Sequence, residues 1–342
     1  MNSAELKRYD RQMLLPEMGI EGQERLKCAS VLVVGAGGLG APVLLYLAAA
    51  GVGSIGVADH DVVEESNLQR QVLYNTNDIG KNKAETAVIK LRLLNPHLDF
   101  QSYAFKLVSD NAIGIIQKYD IIIDGSDNFP TRYLINDCCV ELKKTLVFGS
   151  LFKFEGQVSV FNHNGGPDYR SLYPEPPLAD DVPNCGESGV IGTLPGIIGS
   201  YMANETIKLI AGFGEVLSGK LLTIDALNND VRIFNLQPRE NSSNETPVTN
   251  RAKVFNFITE NELMAWKESA EDFEIIDVRE PYEFEEYNLG GKNIPIFEFP
   301  QRIGEVPNSE RIILCCTSGY RSKIALGLLE KQYQGSIYLL NI

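Results

Sequence analysis

Apolar residues along this chain fall into short blocks separated by polar or glycine-containing joints. "VLVV" (31–34), "SIGVAD" (54–59), "FQSYAF" (100–105), "DIIIDGSD" (120–127) and "TLVFGS" (145–150) are rich in β-branched and aromatic residues, the composition of buried strands. Between them, Lys81 to Leu94 spaces its apolar positions for one face of a helix that Pro96 stops. Strands alternating with helices are the grammar of a parallel sheet covered on both faces. "EGQVSVFN", "KLLTID" and "DVRIFNL" add later strands, and Leu194 to Ile210 predicts an apolar helix.

The pattern breaks at Gln237 to Lys253, "QPRENSSNETPVTNRAK", which is polar and interrupted by proline, as an interdomain linker would be. Beyond it, "TENE" at Thr259 to Glu262 has capping-box spacing. "FEIIDV", "RIILCC" and "SIYLL" then interleave with helical stretches. The expectation is two α/β domains, residues 1–236 and 254–342, joined by 237–253.

Length and composition allow this, since 342 residues with 44% hydrophobic content can form two cores. The formal net charge of −14 argues against a nucleic acid or an anionic membrane as partner, because both select a basic face. Val31 to Ala58 carries no charge and is long enough to span a bilayer, but seven glycines and Pro42 interrupt it, which suits a soluble strand–turn–helix–strand unit. The opening "MNSAELKRYDRQ" lacks the sections of a secretory signal, which predicts a cytoplasmic protein. None of the six cysteines stands in C-x-x-C spacing, so neither a disulfide framework nor a zinc site is expected.

Gly35, Gly37 and Gly40 satisfy G-x-G-x-x-G directly after a strand, and Asp59 ends the next strand where a ribose-binding acid stands. The fold expected of the first domain is therefore Rossmann-like, a doubly wound, mostly parallel sheet with an antiparallel extension. The turn does not distinguish NAD from ATP. Downstream, "EESNLQRQ" supplies Asn67, Gln69 and Arg70, and Lys83 opens the following helix. Hydride transfer has little use for such charge beside the phosphates, whereas triphosphate cleavage needs it. Asp127 and Asn128 follow the strand "IIID" at the carboxyl edge of the sheet, where a carboxylate can hold Mg²⁺ or merely shape a turn.

Together "RYDRQ", "GAGGLG", "GVGSI", "ADHD", "SNLQRQ", "GKNKAE", "DGSDN", "EGQVSVF" and "IKLIAG" closely resemble the MoeB/ThiF family, bacterial relatives of ubiquitin-activating enzymes. The resemblance covers roughly residues 5 to 236 and implies adenylation, with ATP and Mg²⁺, of the C-terminal Gly-Gly carboxylate of a small ubiquitin-like sulfur-carrier protein. That carboxylate is already ionised at neutral pH, so cations rather than a general base carry the chemistry. By the resemblance, Gly38 and Asp59 hold the nucleotide, and Ser66, Asn67, Leu68, Gln69 and Arg70 line its phosphates. Arg70 and Lys83 neutralise charge, and Asp127 holds Mg²⁺. Arg11 matches an arginine inserted into the partner subunit's site, which implies a homodimer. Cys185, in "DDVPNCGESGVIG", matches a cysteine that some relatives join covalently to the carrier, and is otherwise a small loop residue. Cys138 and Cys139 lie in a helical run and read as core. Many relatives bind zinc through two C-x-x-C pairs. The first pair's place holds "DYRS" here and the second is missing, so zinc is expected to be absent.

In the second domain "CTSGYRS", from Cys316, and "FEIIDVREPYEFE" resemble the two characteristic segments of rhodaneses, whose cysteine carries persulfide sulfur. Loop amides, a helix N-terminus and Arg321 are the groups expected to stabilise the Cys316 thiolate. Cys315 alternates to the other side of the strand. The segment "YNLGGKNIPI" lacks the usual histidine and is one residue short, and the domain is short at its C-terminus. A docking module is the alternative to a sulfurtransferase. The fusion implies a persulfide donor and a carrier thiocarboxylate serving molybdopterin, thiamine thiazole or related sulfur transfer. A non-catalytic scaffold for a ubiquitin-like protein and a nicotinamide-dependent oxidoreductase are the rival readings.

Overall fold

Five parallel strands carry the first unit: β1 (Ser30–Val34), β2 (Ser54–Ala58), β3 (Asp99–Tyr103), β4 (Ile121–Asp124) and β5 (Thr145–Phe152). In this computed structural model the described residues are 1–176, 189–236, 256–269, 272–317, 319–330, 333 and 335–341. They fall into two compact units, which divide between Leu236 and Asn256. Cys185 and the whole of 237–253 lie outside the described residues.

The large sheet runs β3-β2-β1-β4-β5-β6-β7-β8, with β6 (Glu155–Phe161), β7 (Lys220–Asp225) and β8 (Asp230–Asn235) antiparallel. The order reverses on either side of β1, and ligands of open α/β sheets bind at such a switch point. Register makes the point usable: Val34 pairs with both Ala58 and Asp124, so β1, β2 and β4 end level. The residues that follow, Gly35, Asp59 and Gly125, emerge at one edge.

Helices Gly40–Ala50 and Thr193–Ala211 supply Leu44, Leu47, Leu194, Ile198 and Met202 to a core shared with Val31 and Val33 of β1. The expected helix at Lys81 begins two residues later, at Lys83, because the Asn82 side chain accepts from Glu85 N and so takes the cap position. Among the described residues no helix is long and apolar enough to cross a membrane.

The second unit is a parallel sheet ordered β10-β9-β11-β12, made of β9 (Glu274–Asp277), β10 (Lys292–Asn293), β11 (Arg311–Cys316) and β12 (Ser336–Asn341). Thr259 caps the helix Glu260–Glu268 through the expected reciprocal bonds with Glu262. The alternation of β11 sends Cys316 into a core with Ile276 and Leu314, and Cys315 into one with Ile275 and Ile313.

Candidate functional site

At the level ends of β1, β2 and β4 the chain makes three turns that touch one another. Gly35 has φ +89°, and a methyl group there would meet the Gly125 carbonyl oxygen at 2.6 Å. A methyl on Gly40 would come within 1.8 Å of the Gly35 oxygen. These glycines let the first turn close on itself and on the loop after β4. Gly38 faces Pro195 and Arg70, and Gly37 faces Gln71.

Asp59 leaves β2 and accepts at Oδ2 from Ala36 N (2.8 Å) and at Oδ1 from Asp61 N (2.9 Å). Burial raises its carboxyl above the ordinary range, and those two bonds oppose the rise. Tyr74 donates to the Ala36 and Lys83 carbonyls at 2.9 and 3.1 Å, tying the glycine turn to the start of the next helix. Lys83 is buried, and its Nζ lies 3.2 Å from Oδ2 of the exposed Asp61. Arg70 is half-buried and donates to the Ser66 carbonyl at 3.0 Å. Within Glu64–Gln71, Asn67 is buried, Leu68 half-buried, and Ser66 and Gln69 exposed. Asp127 and Asn128 are exposed, and Asn128 caps the helix Phe129–Glu141 by accepting from Thr131 N at 3.0 Å.

The geometry therefore gathers a tight backbone turn, two cations and several oxygen donors at one sheet edge. Gln71 adds a test of fit for a ligand, because its side-chain Nε2, a donor, is the atom that faces Gly37, where phosphate would approach the backbone. Asp127 offers Mg²⁺ a hard carboxylate oxygen, the kind of ligand it prefers. Among the described residues, the acidic and histidine group close enough to share an ion is Asp59, His60 and Asp61. Arg11 is exposed in the last turn of the helix Ser3–Met13. Cys138 and Cys139 are buried in the helix Phe129–Glu141.

In the second unit Cys316 is fully buried at the end of β11. The helix Tyr320–Leu329 begins just beyond it, and one of its free first-turn amides, Ser322 N, donates to Cys316 Sγ at 3.4 Å. The thiol in turn donates to Ser322 Oγ at 3.4 Å, which donates to the Gly319 carbonyl at 3.0 Å. Burial pushes the Cys315 thiol far up, so it stays protonated.

The ThiF family model matches residues 9–246, and a rhodanese-like domain model matches residues 259–341. The chain belongs to the ThiF family. A "Probable adenylyltransferase/sulfurtransferase MoeZ" of Mycobacterium tuberculosis is 40% identical over 97% of this chain and 90% of its own length. A "Sulfur carrier protein adenylyltransferase" of Thermus thermophilus is 55% identical over 67% of this chain and 86% of its own length. The solved structure of E. coli MccB with ATP superimposes with a TM-score of 0.60 at 23% identity, over 73% of this chain and 74% of that one, which shows the shared fold.

Within the ThiF unit, sequence reasoning missed Asp61, Gln71 and Tyr74, which hold Lys83 or face the glycine turn. In the rhodanese-like unit it missed Ser322 and Glu283, the latter paired with Arg321 at 2.5 Å. Each is a polar residue in a motif already singled out or close beside one. Its partner, not its type, reveals it.

Proposed function

We propose that this protein uses ATP to adenylate the C-terminal carboxylate of a ubiquitin-like sulfur-carrier protein, and that its rhodanese-like unit delivers sulfur to the activated carrier. The observation that carries the reading is the placement of Arg70 and Lys83 around a glycine turn that is itself locked to the Asp127 loop. An anionic carboxylate must approach a triphosphate, and positive charge fixed beside the phosphates lowers that barrier. The carboxylate oxygen bonds to the α-phosphorus as pyrophosphate departs. Asp59 accepts from the ribose, the Gly37 and Gly38 amides hold phosphate, and the Asn128 side chain lies at the same edge. Mg²⁺, held by Asp127, would supply Lewis-acid stabilisation of the phosphates. The names of the mycobacterial and Thermus relatives support both halves of the reaction.

The reading includes a homodimer. Tyr46, Val72, Ile197 and Tyr201 are 37–64% exposed and line one groove with Gln69 of the phosphate segment, a face suited to a second copy. That copy would contribute Arg11 to the site. No structural zinc is included, since Asp168, where the first C-x-x-C pair would stand, instead caps a short helix through Ser171 N at 2.7 Å. The Cys316 persulfide would attack the acyl-adenylate and expel AMP to give an acyl disulfide. Cys185, the candidate second thiol, would attack the Cys316 sulfur of that bond, forming a disulfide and releasing the acyl sulfur. The product would be a protein thiocarboxylate.

ATP–pyrophosphate exchange with Mg²⁺, run against carriers with and without a Gly-Gly tail, tests this. Tail-dependent exchange is expected. Nucleotide binding with no exchange for any carrier would replace the reading with that of a scaffold.

A further inference from the structure

The turn between β4 and the helix Phe129–Glu141 is gripped by two buried charged residues. Asp124 is 1% exposed, and its Oδ1 accepts from both the backbone N–H of Ser126 (2.9 Å) and its hydroxyl (2.6 Å). Arg132, 8% exposed, reaches back from the helix and donates from Nη2 to the Ser126 carbonyl at 3.1 Å. The N–H, carbonyl and hydroxyl of one residue are thus all engaged by a carboxylate and a guanidinium. The Phe129 and Phe148 rings lie 5.3 and 5.6 Å from the guanidinium carbon and limit its movement. Burial raises the Asp124 carboxyl, and Arg132 together with the Ser126 bonds opposes the rise.

The grip is not needed to start the helix, because Asn128 already caps it. Nor does burying two charged groups add much stability over an apolar replacement. Its consequence is geometric. Gly125 N donates to the Val34 carbonyl at 2.8 Å, so one end of the turn is fixed against the glycine turn. Ser126 is held next, and Asp127 follows it into solvent.

We propose that Asp124 and Arg132 are positioning residues that fix the Asp127 carboxylate relative to the phosphate-binding turn and so set the affinity of the nucleotide site for Mg²⁺. The inference rests on the adenylating reading above. A metal ligand displaced by a fraction of an ångström loses affinity, and residues that orient ligands from behind are typically worth 10–100-fold in metal binding, on the order of that range here.

The test is a Mg²⁺ titration of ATP binding to the full chain, with a parallel measurement in EDTA. Arg132→Lys keeps the charge and loses the fork. It is expected to need about tenfold more Mg²⁺ for half-maximal binding, while affinity in EDTA and the thermal transition stay as in the parent. Ser126→Ala, which deletes only the hydroxyl bond, should shift the same midpoint by less, and it stands in if the arginine variant does not fold. An unchanged Mg²⁺ midpoint in a folded variant overturns the inference, as does an equal loss of affinity with and without Mg²⁺. If the parent binds ATP without any response to Mg²⁺, the Mg²⁺ part of the adenylating reading fails, and the inference falls with it.

Discussion

Arg321 and Glu283 are joined by two parallel hydrogen bonds, Nη1 to Oε2 at 2.5 Å and Nη2 to Oε1 at 2.8 Å. Thr317, next to Cys316, also donates to Glu283 at 3.3 Å. The arginine in the first turn of the helix after the rhodanese-like cysteine is therefore paired with a carboxylate on the helix Pro281–Glu286.

That pair makes the second unit acid-sensitive. Burial pushes the Glu283 carboxyl up, but the bonds and charge of Arg321, with the Glu280 amide and the Arg279 charge, together leave the carboxyl below its usual range. A carboxyl lowered on folding contributes stability above its unfolded value, near 4.3, and that stability disappears as pH falls through the lower folded value. Glu283→Gln should cost about 2–3 kcal/mol at pH 7 and flatten the loss of stability below about pH 4. Urea unfolding across pH, followed through Trp266, measures both. A variant as stable as the parent at pH 7 would show that the pair contributes nothing.

Lys83 and Arg70 should matter to the ligand far more than to the fold. Asp61, the partner of Lys83, is 55% exposed at its side chain, so losing that pair costs at most about 1 kcal/mol. Lys83→Ala and Arg70→Ala are expected to lower exchange by about a hundredfold or more, with a melting temperature within a few degrees of the parent. Exchange rates and calorimetry on the same samples separate the two effects. A large melting shift with normal exchange would reverse the assignment.

Gly40 and Gly38 should respond to alanine to different degrees. At Gly40 the added methyl meets backbone at 1.8 Å, and the turn must open at a cost of about 3 kcal/mol. At Gly38 it meets the Pro195 ring at 3.2 Å and Arg70 Cδ at 3.8 Å, contacts that side chains can absorb for about 1 kcal/mol. Gly38→Ala should thus stay folded but bind ATP more weakly, because the methyl occupies space beside Arg70. Thermal melts and nucleotide titrations distinguish the pair.

Strands β1 and β4 could be read from the chain because parallel β-strands buried on both faces need apolar runs. The glycine turn was equally legible, since only glycine fits where Gly35 and Gly40 cross. The grip of Arg132 on Ser126 was not. In sequence, an arginine on a helix is an ordinary surface residue, and only the fold shows that it turns inward. The motif points to Arg321 as a neighbour of Cys316, and the fold adds its forked partner Glu283, 38 residues away. Sequence patterns report local periodicity and carry little about such long-range polar pairs.

Cys316 and Cys315 are adjacent but should be chemically unlike. Only Cys316 has a helix-terminal amide aimed at its sulfur, and burial holds the Cys315 thiol protonated. Cys316→Ala is expected to abolish persulfide loading while exchange by the first unit continues. Cys315→Ala should retain loading and lose about 1 kcal/mol of stability from the small cavity. Intact-mass spectrometry after incubation with a persulfide donor reads the added sulfur. Loading that follows Cys315 instead would overturn the assignment.

Tyr74 bonds to both the Ala36 and Lys83 carbonyls, and so the glycine turn and the lysine helix cannot drift apart independently. The glycine turn and the start of the lysine helix are thereby held in one arrangement, with the entropy of aligning them already lost when the chain folds. Capture of ATP would then be governed by encounter rather than by a slow rearrangement, its rate rising in proportion to nucleotide concentration without a plateau.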